Sequence, residues 1–148
     1  MTSKNEMKIM FSARSENEKF ARMAVASFIA YLDPTLEELN EIKTVVSEAV
    51  TNCIIHGYEY DATKQIELSV SIDEDMVSIQ IIDHGKGIED IELAREPLFT
   101  TLPDGERAGM GFTIMESFMD GFEVVSEPGS GTSINMRKRI LSSNVLFN

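Results

Sequence analysis

Three short stretches of the sequence carry residues whose types and spacing could hold or transform a ligand. In IIDHGKGI, Asp83 ends an apolar run and is followed at once by Gly85 and Gly87. A carboxylate fixed at a strand end can accept a hydrogen bond from an exocyclic amine such as that of adenine. The two glycines permit positive φ angles and a close approach of the backbone to a flat ligand. A tight turn after a strand gives the same pattern, so this motif alone leaves both interpretations open.

The second stretch, GERAGMGFTI, places Gly109, Met110 and Gly111 at the predicted start of a helix. Free N–H groups at a helix start can face an anion. No Gly-Lys-Ser/Thr follows, which excludes a Walker A loop, and the glycine pattern of dinucleotide-binding folds does not fit either. A flexible helix start without a ligand explains the two glycines equally well.

The third stretch, SEAVTNCIIHG, carries Glu48, Asn52 and His56 at positions i, i+4 and i+8 of an otherwise apolar run. On a helix these side chains line one face. Most such stripes are the solvated faces of amphipathic helices, and on the stripe alone that interpretation is favoured. The order in which the three stretches follow one another, however, favours a functional face over a solvated one.

Length and charge exclude several classes of function. The 148 residues fit one domain, predicted to span residues 1–148. A net charge of −12 lacks the Lys and Arg surplus that direct nucleic-acid binding needs, and it disfavours anionic membrane surfaces. The single cysteine, Cys53, cannot form an intrachain disulfide and is predicted to be a buried core residue. Because no signal peptide or membrane span is evident, we expect a cytoplasmic protein.

Hydrophobic periodicity predicts the elements of the first half. MKIMFSA is predicted to be a strand, and the helix that follows begins with a capping box of Ser15 and Glu18. A second helix begins at a capping box of Thr35 and Glu38, and Gly57 is placed to end it. The first helix has apolar residues at helical spacing: Phe20, Met23, Ala24, Phe28 and Tyr31.

The second half alternates with period two. QIELSVSI and VSIQIID predict an antiparallel hairpin, and a polar segment of about 25 residues then follows, a length that indicates function. A helix from Met110 and a second hairpin, FEVVS and TSINMRK, complete the chain. The predicted fold is α+β, a two-layer sandwich with a mixed, mostly antiparallel sheet and helices on one face.

The three motifs are specific for one fold when they occur together in this order. They are E-x-x-x-N on a helix, D-x-G-x-G after a strand and, beyond a long segment, G-x-G at a helix start. The series resembles the ATP-binding fold shared by gyrase, the ninety-kilodalton heat-shock chaperone, histidine kinases and MutL mismatch-repair proteins. The resemblance runs from Thr35 to about Lys138. Gly131 and Thr132 also match, and in that family a threonine hydroxyl supports the adenine-binding acid.

Within that group the chain is most similar to the bacterial anti-sigma factor serine kinases, and to their sporulation type, on IKTVVSEAVTNCIIHGYE, EPLFTT and GMGFTIMESFMD. The resemblance implies a protein that binds ATP or ADP with Mg²⁺ and holds a sigma factor inactive. It further implies phosphorylation of a serine on an anti-anti-sigma protein. A homodimer is implied too, with residues 7–32 as the dimer or partner region.

The resemblance also assigns roles to residues. Asn52 would offer one oxygen to Mg²⁺, which takes few protein ligands, and Glu48 would accept the proton of the attacking hydroxyl. Arg107 would reach the γ-phosphate when the segment from Arg95 to Ala108 closes as an ATP lid. The nucleotide itself would be bound by Asn52, Asp83, Gly85, Gly87, Gly109, Met110, Gly111 and Thr132. The histidines His56 and His84 are interpreted as packing or incidental residues, and Met110, Met115 and Met119 as core fillers.

Two other functions stay open. An ATPase that hydrolyses for conformational work would also use Glu48, to activate water, although such relatives carry large additional domains. A nucleotide-gated binder without kinase activity is the second alternative, and a missing Glu48 would have favoured it. A histidine kinase is disfavoured because neither His56 nor His84 lies in a helical dimerisation module.

Overall fold

One antiparallel sheet organises the chain. The computed structural model describes residues 4–88 and 110–141. Their strands are β1 (Asn5–Ser12), β2 (Gln65–Asp73), β3 (Met76–Asp83), β4 (Gly121–Glu127) and β5 (Gly131–Arg139). The strand order is β1-β2-β3-β5-β4, and each neighbouring pair is antiparallel, where the sequence predicts a mixed, mostly antiparallel sheet. The two predicted hairpins, β2–β3 and β4–β5, are confirmed.

Helices of the described residues cover one face of this sheet, as predicted. They are α1 (Glu16–Ile29), α2 (Leu36–Asn52) and α3 (Met110–Phe118). A 3₁₀ turn, Ala30–Leu32, extends α1, and a π-helical turn, Cys53–Gly57, extends α2. The helical path that carries the polar stripe therefore stops at Gly57. None of these helices is both long and apolar enough to cross a membrane.

The core lies between α2 and the alternate residues of the two central strands. Period two buries every second residue of β2 and β3, and period 3.6 buries one face of α2. The buried apolar residues of β2 and β3 are Ile66, Leu68, Val70, Ile72, Val77, Ile79 and Ile81, and those of α2 and the turn after it include Ile42, Val46, Ala49, Val50 and Cys53. The predicted α+β two-layer sandwich is confirmed.

Of the two predicted capping boxes, one forms. Thr35 Oγ1 accepts a hydrogen bond from Glu38 N–H at 3.0 Å, and Glu38 Oε1 accepts one from Thr35 N–H at 2.9 Å. The box of Ser15 and Glu18 was wrong. Ser15 has helical backbone angles and makes no capping bond, because a capping side chain needs an extended backbone at its own position. Glu18 instead pairs with Arg22 at 2.6 Å.

The apolar residues of α1 and of the 3₁₀ turn that extends it divide into two faces. Ala21, Val25 and Ile29 are fully buried and pack toward the core. Much of the face predicted from helical spacing points outward, with Phe20, Met23 and Tyr31 exposed by 54%, 48% and 61%. The sequence left open whether that face was core or interface, and the structure places these three side chains at the surface.

Lys138 fixes the helices relative to the sheet. Its Nζ donates to the carbonyl oxygen of Phe118 at the end of α3 (3.0 Å) and lies 3.2 Å from Oε1 of Glu41 on α2. The side chain is only 12% exposed, so water competes little for these bonds. β5 thereby holds the two helices whose other ends form the site described next.

Candidate functional site

Asp83 ends β3 on the helix-covered face of the sheet, and only 1% of its surface is exposed. Its Oδ1 accepts a hydrogen bond from Gly85 N–H at 2.9 Å. Its Oδ2 is buried and has no hydrogen-bond partner within residues 4–88 and 110–141. Because an unmet buried acceptor costs about 1–3 kcal/mol, this oxygen marks the place where a ligand's donor group would bind.

The surroundings of Asp83 both oppose and support its charge. Burial raises the pKa of the carboxyl group, whereas the hydrogen bond from Gly85 N–H and the neighbouring Cys53 thiol and Thr132 N–H act in the opposite direction. Burial, reinforced by the negative charge of Asp83, raises the pKa of the Cys53 thiol well above its ordinary value. The thiol therefore stays protonated as a weak donor beside the acid. The prediction that Cys53 is buried is confirmed.

A row of polar side chains crosses three strands at this level of the sheet. Thr132 on β5 stands opposite Asp83, and Ser126 on β4 stands opposite Thr132. Ser126 Oγ donates to the carbonyl of Gly131 at 3.0 Å and accepts from Ile88 N–H at 2.8 Å. The Thr132 hydroxyl lies 2.8 Å from Ser126 Oγ, and either oxygen can be the donor in this pair. The support of Asp83 by that hydroxyl stays a prediction.

Sequence analysis did not single out Ser126, which holds the backbone of Ile88 after the D-x-G-x-G motif. A serine at an alternating strand position gives no signal of its own, because its partner lies 38 residues away in the sequence. The cross-strand register with Thr132 would have been the only pointer.

The segment after Asp83 packs tightly against two other parts of the chain. Lys86 N–H donates to the carbonyl of Gly57 at 3.0 Å, and the Lys86 carbonyl accepts from Gly129 N–H at 2.6 Å. A β-carbon on Gly85 would lie 1.9 Å from the Gly57 oxygen, and one on Gly87, where φ is +77°, 2.1 Å from Glu127 O. Contacts within the protein thus require both glycines, and their contact with a nucleotide stays a prediction.

Glu48 and Asn52 are half-buried in the last two turns of α2. A β-carbon on Gly111 would lie 3.1 Å from Oε2 of Glu48, so the carboxylate rests against the first turn of α3. That end of α3 is the positive end of the helix dipole. One helix therefore brings the three motifs together, with Glu48 at the G-x-G start and Cys53 beside Asp83.

His56 continues the stripe into the π-helical turn. Burial lowers its pKa, and the positive charge of Lys86 lowers it further, so the imidazole is neutral at physiological pH. His84 is exposed and lies 3.1 Å from Glu67. The structure therefore places His56 in the packed turn and His84 at the surface, outside the row formed by Asp83 and Thr132.

Several predicted site residues lie outside the described part of the chain. They are Arg107 and Gly109, together with the predicted lid from Arg95 to Ala108 and the side chain of Met110. Their roles stay predictions. Met115 and Met119 are buried, which confirms them as core residues.

Comparison with known proteins agrees with this architecture. Residues 11–138 match the family described as the histidine kinase-like ATPase domain. The RsbU and RsbW domains of a Mycobacterium tuberculosis protein superpose with a TM-score of 0.67 at 17% identity, over 92% of this chain and 32% of that one. The histidine kinase domain of a blue-light activated kinase from Erythrobacter litoralis gives 0.57 at 21%, over 84% and 62%. This chain thus spans less than two thirds of either protein, and at these identities the likeness establishes the fold.

By fold and family match, the chain belongs to the histidine kinase-like ATPase domain family. Relatives of the same length narrow this class. The anti-sigma F factor of Anoxybacillus flavithermus is 57% identical over 145 residues, which cover 98% of this chain and 99% of that protein. The anti-sigma F factors of Bacillus thuringiensis and Bacillus mycoides are 59% identical over the same share. The chain is therefore a member of the anti-sigma F factor family, and the resemblance seen in its sequence is confirmed.

Proposed function

We propose that the chain is a cytoplasmic anti-sigma factor with protein serine kinase activity. It binds and inhibits a sigma factor of the sporulation type, and it uses Mg·ATP to phosphorylate a serine of an anti-anti-sigma protein. The carrying observation is the buried Oδ2 of Asp83, which has no hydrogen-bond partner among the described residues and lies against Gly57, just beyond the helix that bears Glu48 and Asn52. The names of the full-length relatives support the sigma-factor part of the proposal.

An adenine nucleotide fits the donor and acceptor groups of this site. The 6-amino group of adenine donates a hydrogen bond of the kind that no residue in the described part of the chain gives to Oδ2 of Asp83. At this same C-terminal end of α2, the amide oxygen of Asn52 is a ligand of the kind that Mg²⁺ takes, and the start of α3 at Gly111 suits phosphate. ADP would share the adenine contact and lose those to the γ-phosphate. ATP supplies the phosphoryl group that the chain transfers.

In the proposed transfer, the serine oxygen of the partner forms a bond to the γ-phosphorus and the bond to the bridging oxygen of ADP breaks. ADP leaves with that electron pair, and the serine proton passes to the carboxylate of Glu48. This carboxylate is half-buried and lies against the first turn of α3. Arg107 would hold the γ-phosphate, and Asn52 would hold the metal.

The outward face of α1 suits a protein partner. Phe20 and Met23 of α1, with Tyr31 of the 3₁₀ turn that extends it, are large apolar side chains exposed by 48–61%. Exposed apolar groups of this kind mark interaction surfaces when they are grouped on one element. We assign this face to the sigma factor. A second exposed surface is the edge strand β1, which carries the exposed side chain of Met10. We assign this edge of the sheet to the homodimer interface.

Incubation with γ-labelled ATP and a candidate anti-anti-sigma protein tests the kinase assignment. Phosphoamino-acid analysis should find label on serine of the partner and none on histidine of this chain. Release of labelled phosphate without protein labelling would instead establish an ATPase. Retention of unhydrolysed ATP would establish a nucleotide-gated binder.

A further inference from the structure

The structure assigns to Tyr58 a positioning role in adenine recognition: its hydroxyl fixes the backbone that follows Asp83 and so aims the carboxylate at the ligand. The inference rests on the proposed contact between Asp83 and adenine, and it adds a residue that the sequence motifs do not include. Tyr58 follows the π-helical turn directly, and only 7% of its surface is exposed.

The Tyr58 hydroxyl bridges the ends of two strands. It donates to the carbonyl of Gln65 at 2.6 Å and accepts from His84 N–H at 2.7 Å. Burial raises the pKa of Tyr58, so the hydroxyl keeps its proton at neutral pH and can make both bonds. Its backbone N–H donates to the carbonyl of Cys53 at 2.9 Å, which ties the bridge to the turn beside Asp83.

This bridge takes the place of one step of the β2–β3 ladder. The register pairs Glu67 with Ile82, the last pair at this end of the hairpin. In an antiparallel pair, moving two residues outward along each strand brings Gln65 opposite His84. The carbonyl and the N–H that would bond directly in a continued ladder are instead joined through the Tyr58 oxygen. The hydroxyl thus holds the two strand ends apart by its own width while keeping both groups bonded.

Asp83 lies between the last ladder pair and this bridge. On its other side, β5 holds it through the pairing with Thr132. Without the Tyr58 hydroxyl, the His84 N–H loses its hydrogen-bond partner. The backbone after Asp83 is then no longer tied to β2 at this point. Oδ1 of Asp83 accepts its hydrogen bond from Gly85, the residue directly after His84, so movement of this backbone changes where Oδ2 points. The bridge therefore acts on adenine selection through Asp83.

Titration calorimetry on the full chain tests this role with ADP and with purine riboside diphosphate, which lacks the 6-amino group. The native chain should prefer ADP. Tyr58→Phe keeps the buried ring and removes the bridge, and we expect the preference to fall about fivefold, the loss typical of one hydrogen bond. Tyr60→Phe is the matched control, because Tyr60 is 58% exposed two residues away, and it should leave the preference unchanged.

The outcomes separate this inference from the function on which it rests. If the native chain binds both nucleotides equally, the adenine contact of Asp83 is wrong and the role of Tyr58 falls with it. If the native chain prefers ADP and Tyr58→Phe lowers the affinity for both nucleotides by the same factor, the role of Tyr58 is structural only. Hydrogen exchange of the native chain gives a second test that needs no variant: the His84 amide should be protected, and exchange at the rate of an open loop would overturn the bridge.

Discussion

Gly57 lies directly against the carboxylate of Asp83. A β-carbon at position 57 would stand 2.7 Å from Cγ and from both oxygens of the acid, closer than real β-carbons approach such atoms. Gly57 also closes the π-helical turn that follows Glu48 and Asn52. The proposed adenine contact and the proposed phosphate contacts are thus set by one continuous helical segment.

Gly57→Ala should therefore weaken nucleotide binding although residue 57 offers no group to a ligand. The added methyl must displace the Asp83 side chain, because strand β3 fixes the backbone of the acid and cannot retreat. We expect the affinity for ADP to fall about tenfold or more, which corresponds to about 1.4 kcal/mol. Calorimetry on folded protein measures this, and native affinity would contradict the packing argument.

The double variant Gly57→Ala, Asp83→Ala is the control for that experiment. Removing the carboxylate leaves space for the methyl, so the double variant should unfold at a higher temperature than Gly57→Ala alone. Nucleotide binding should not return, because the acceptor is gone. A stability loss that the second substitution fails to relieve would mean that the methyl meets something other than Asp83.

Asp83→Asn should stabilise the nucleotide-free chain at neutral pH while weakening nucleotide binding. Burial raises the folded-state pKa of Asp83 above its unfolded value. The contribution of such a group to stability is complete below the unfolded pKa and is lost as the pH rises through the folded pKa. Near pH 7 the native chain therefore bears a buried charge that the amide avoids. The gain in the free energy of unfolding should shrink as the pH falls towards the ordinary value of 3.8.

Asp61→Asn should change the free energy of unfolding with the opposite pH dependence. Hydrogen bonds from the side chain and backbone of Thr63 lower the pKa of Asp61, so its contribution is present above the unfolded pKa and lost as the pH falls through the folded one. Chemical denaturation of both variants across this pH range measures the two trends. An Asp83→Asn variant that is less stable than native at pH 7 would refute the cost of the buried charge.

Much of the fold followed from periodicity. Alternation in β2 and β3 specified their buried faces, because one face of each strand is covered and the other is not. The apolar side of α2 was readable for the same reason. Helix α1 was not, since it carries apolar residues on two faces and only packing against α2 decides that Ala21, Val25 and Ile29 turn inward.

From the sequence, only the site residues that would contact a ligand directly were predictable. Asp83 stood out because this acidic residue follows an apolar strand and precedes two glycines. Tyr58 and Ser126 did not, because each acts through a hydrogen bond to a residue more than 25 positions away in the sequence. Such bonds depend on strand register and on the π-helical turn, neither of which leaves a local pattern.

Glu48→Gln should keep nucleotide binding and lose phosphoryl transfer. The amide has nearly the shape of the acid and fits beside Gly111, but it cannot accept the serine proton. We expect a loss of transfer rate of about 100-fold or more, measured with labelled ATP and the anti-anti-sigma partner, alongside ADP affinity close to native. A near-native rate would remove Glu48 from the chemistry and leave positioning as the main contribution.

Asn52→Ala should act on the triphosphate and its metal. Asn52 lies one turn beyond Glu48 on the same face of α2, so the substitution removes an oxygen ligand without removing the proposed base. ATP affinity should fall in the presence of Mg²⁺ and change little in its absence. Equal loss with and without Mg²⁺ would assign Asn52 to the nucleotide alone.

Met23→Asp should weaken sigma-factor binding without changing nucleotide affinity. Met23 is 48% exposed on the outward face of α1, so a charge there spoils an apolar contact at little cost to the fold. We expect a loss of about 1 kcal/mol or more, as for a central interface residue. Tyr60→Asp, at an exposed position outside α1, is the control and should bind as native.

Nucleotide control of that surface is the remaining expectation. If Arg107 orders the predicted lid by holding the γ-phosphate, the ATP form should bind the sigma factor more tightly than the ADP form, because a ligand shifts binding only by its unequal contact with two states. Arg107→Ala should narrow that difference while leaving ADP affinity unchanged. The net charge of −12 should speed encounter with basic segments of the partner, so the association rate should fall with added salt. Surface-immobilised sigma factor measures both effects, and equal affinity with ATP, ADP and no nucleotide would sink the nucleotide-controlled mechanism.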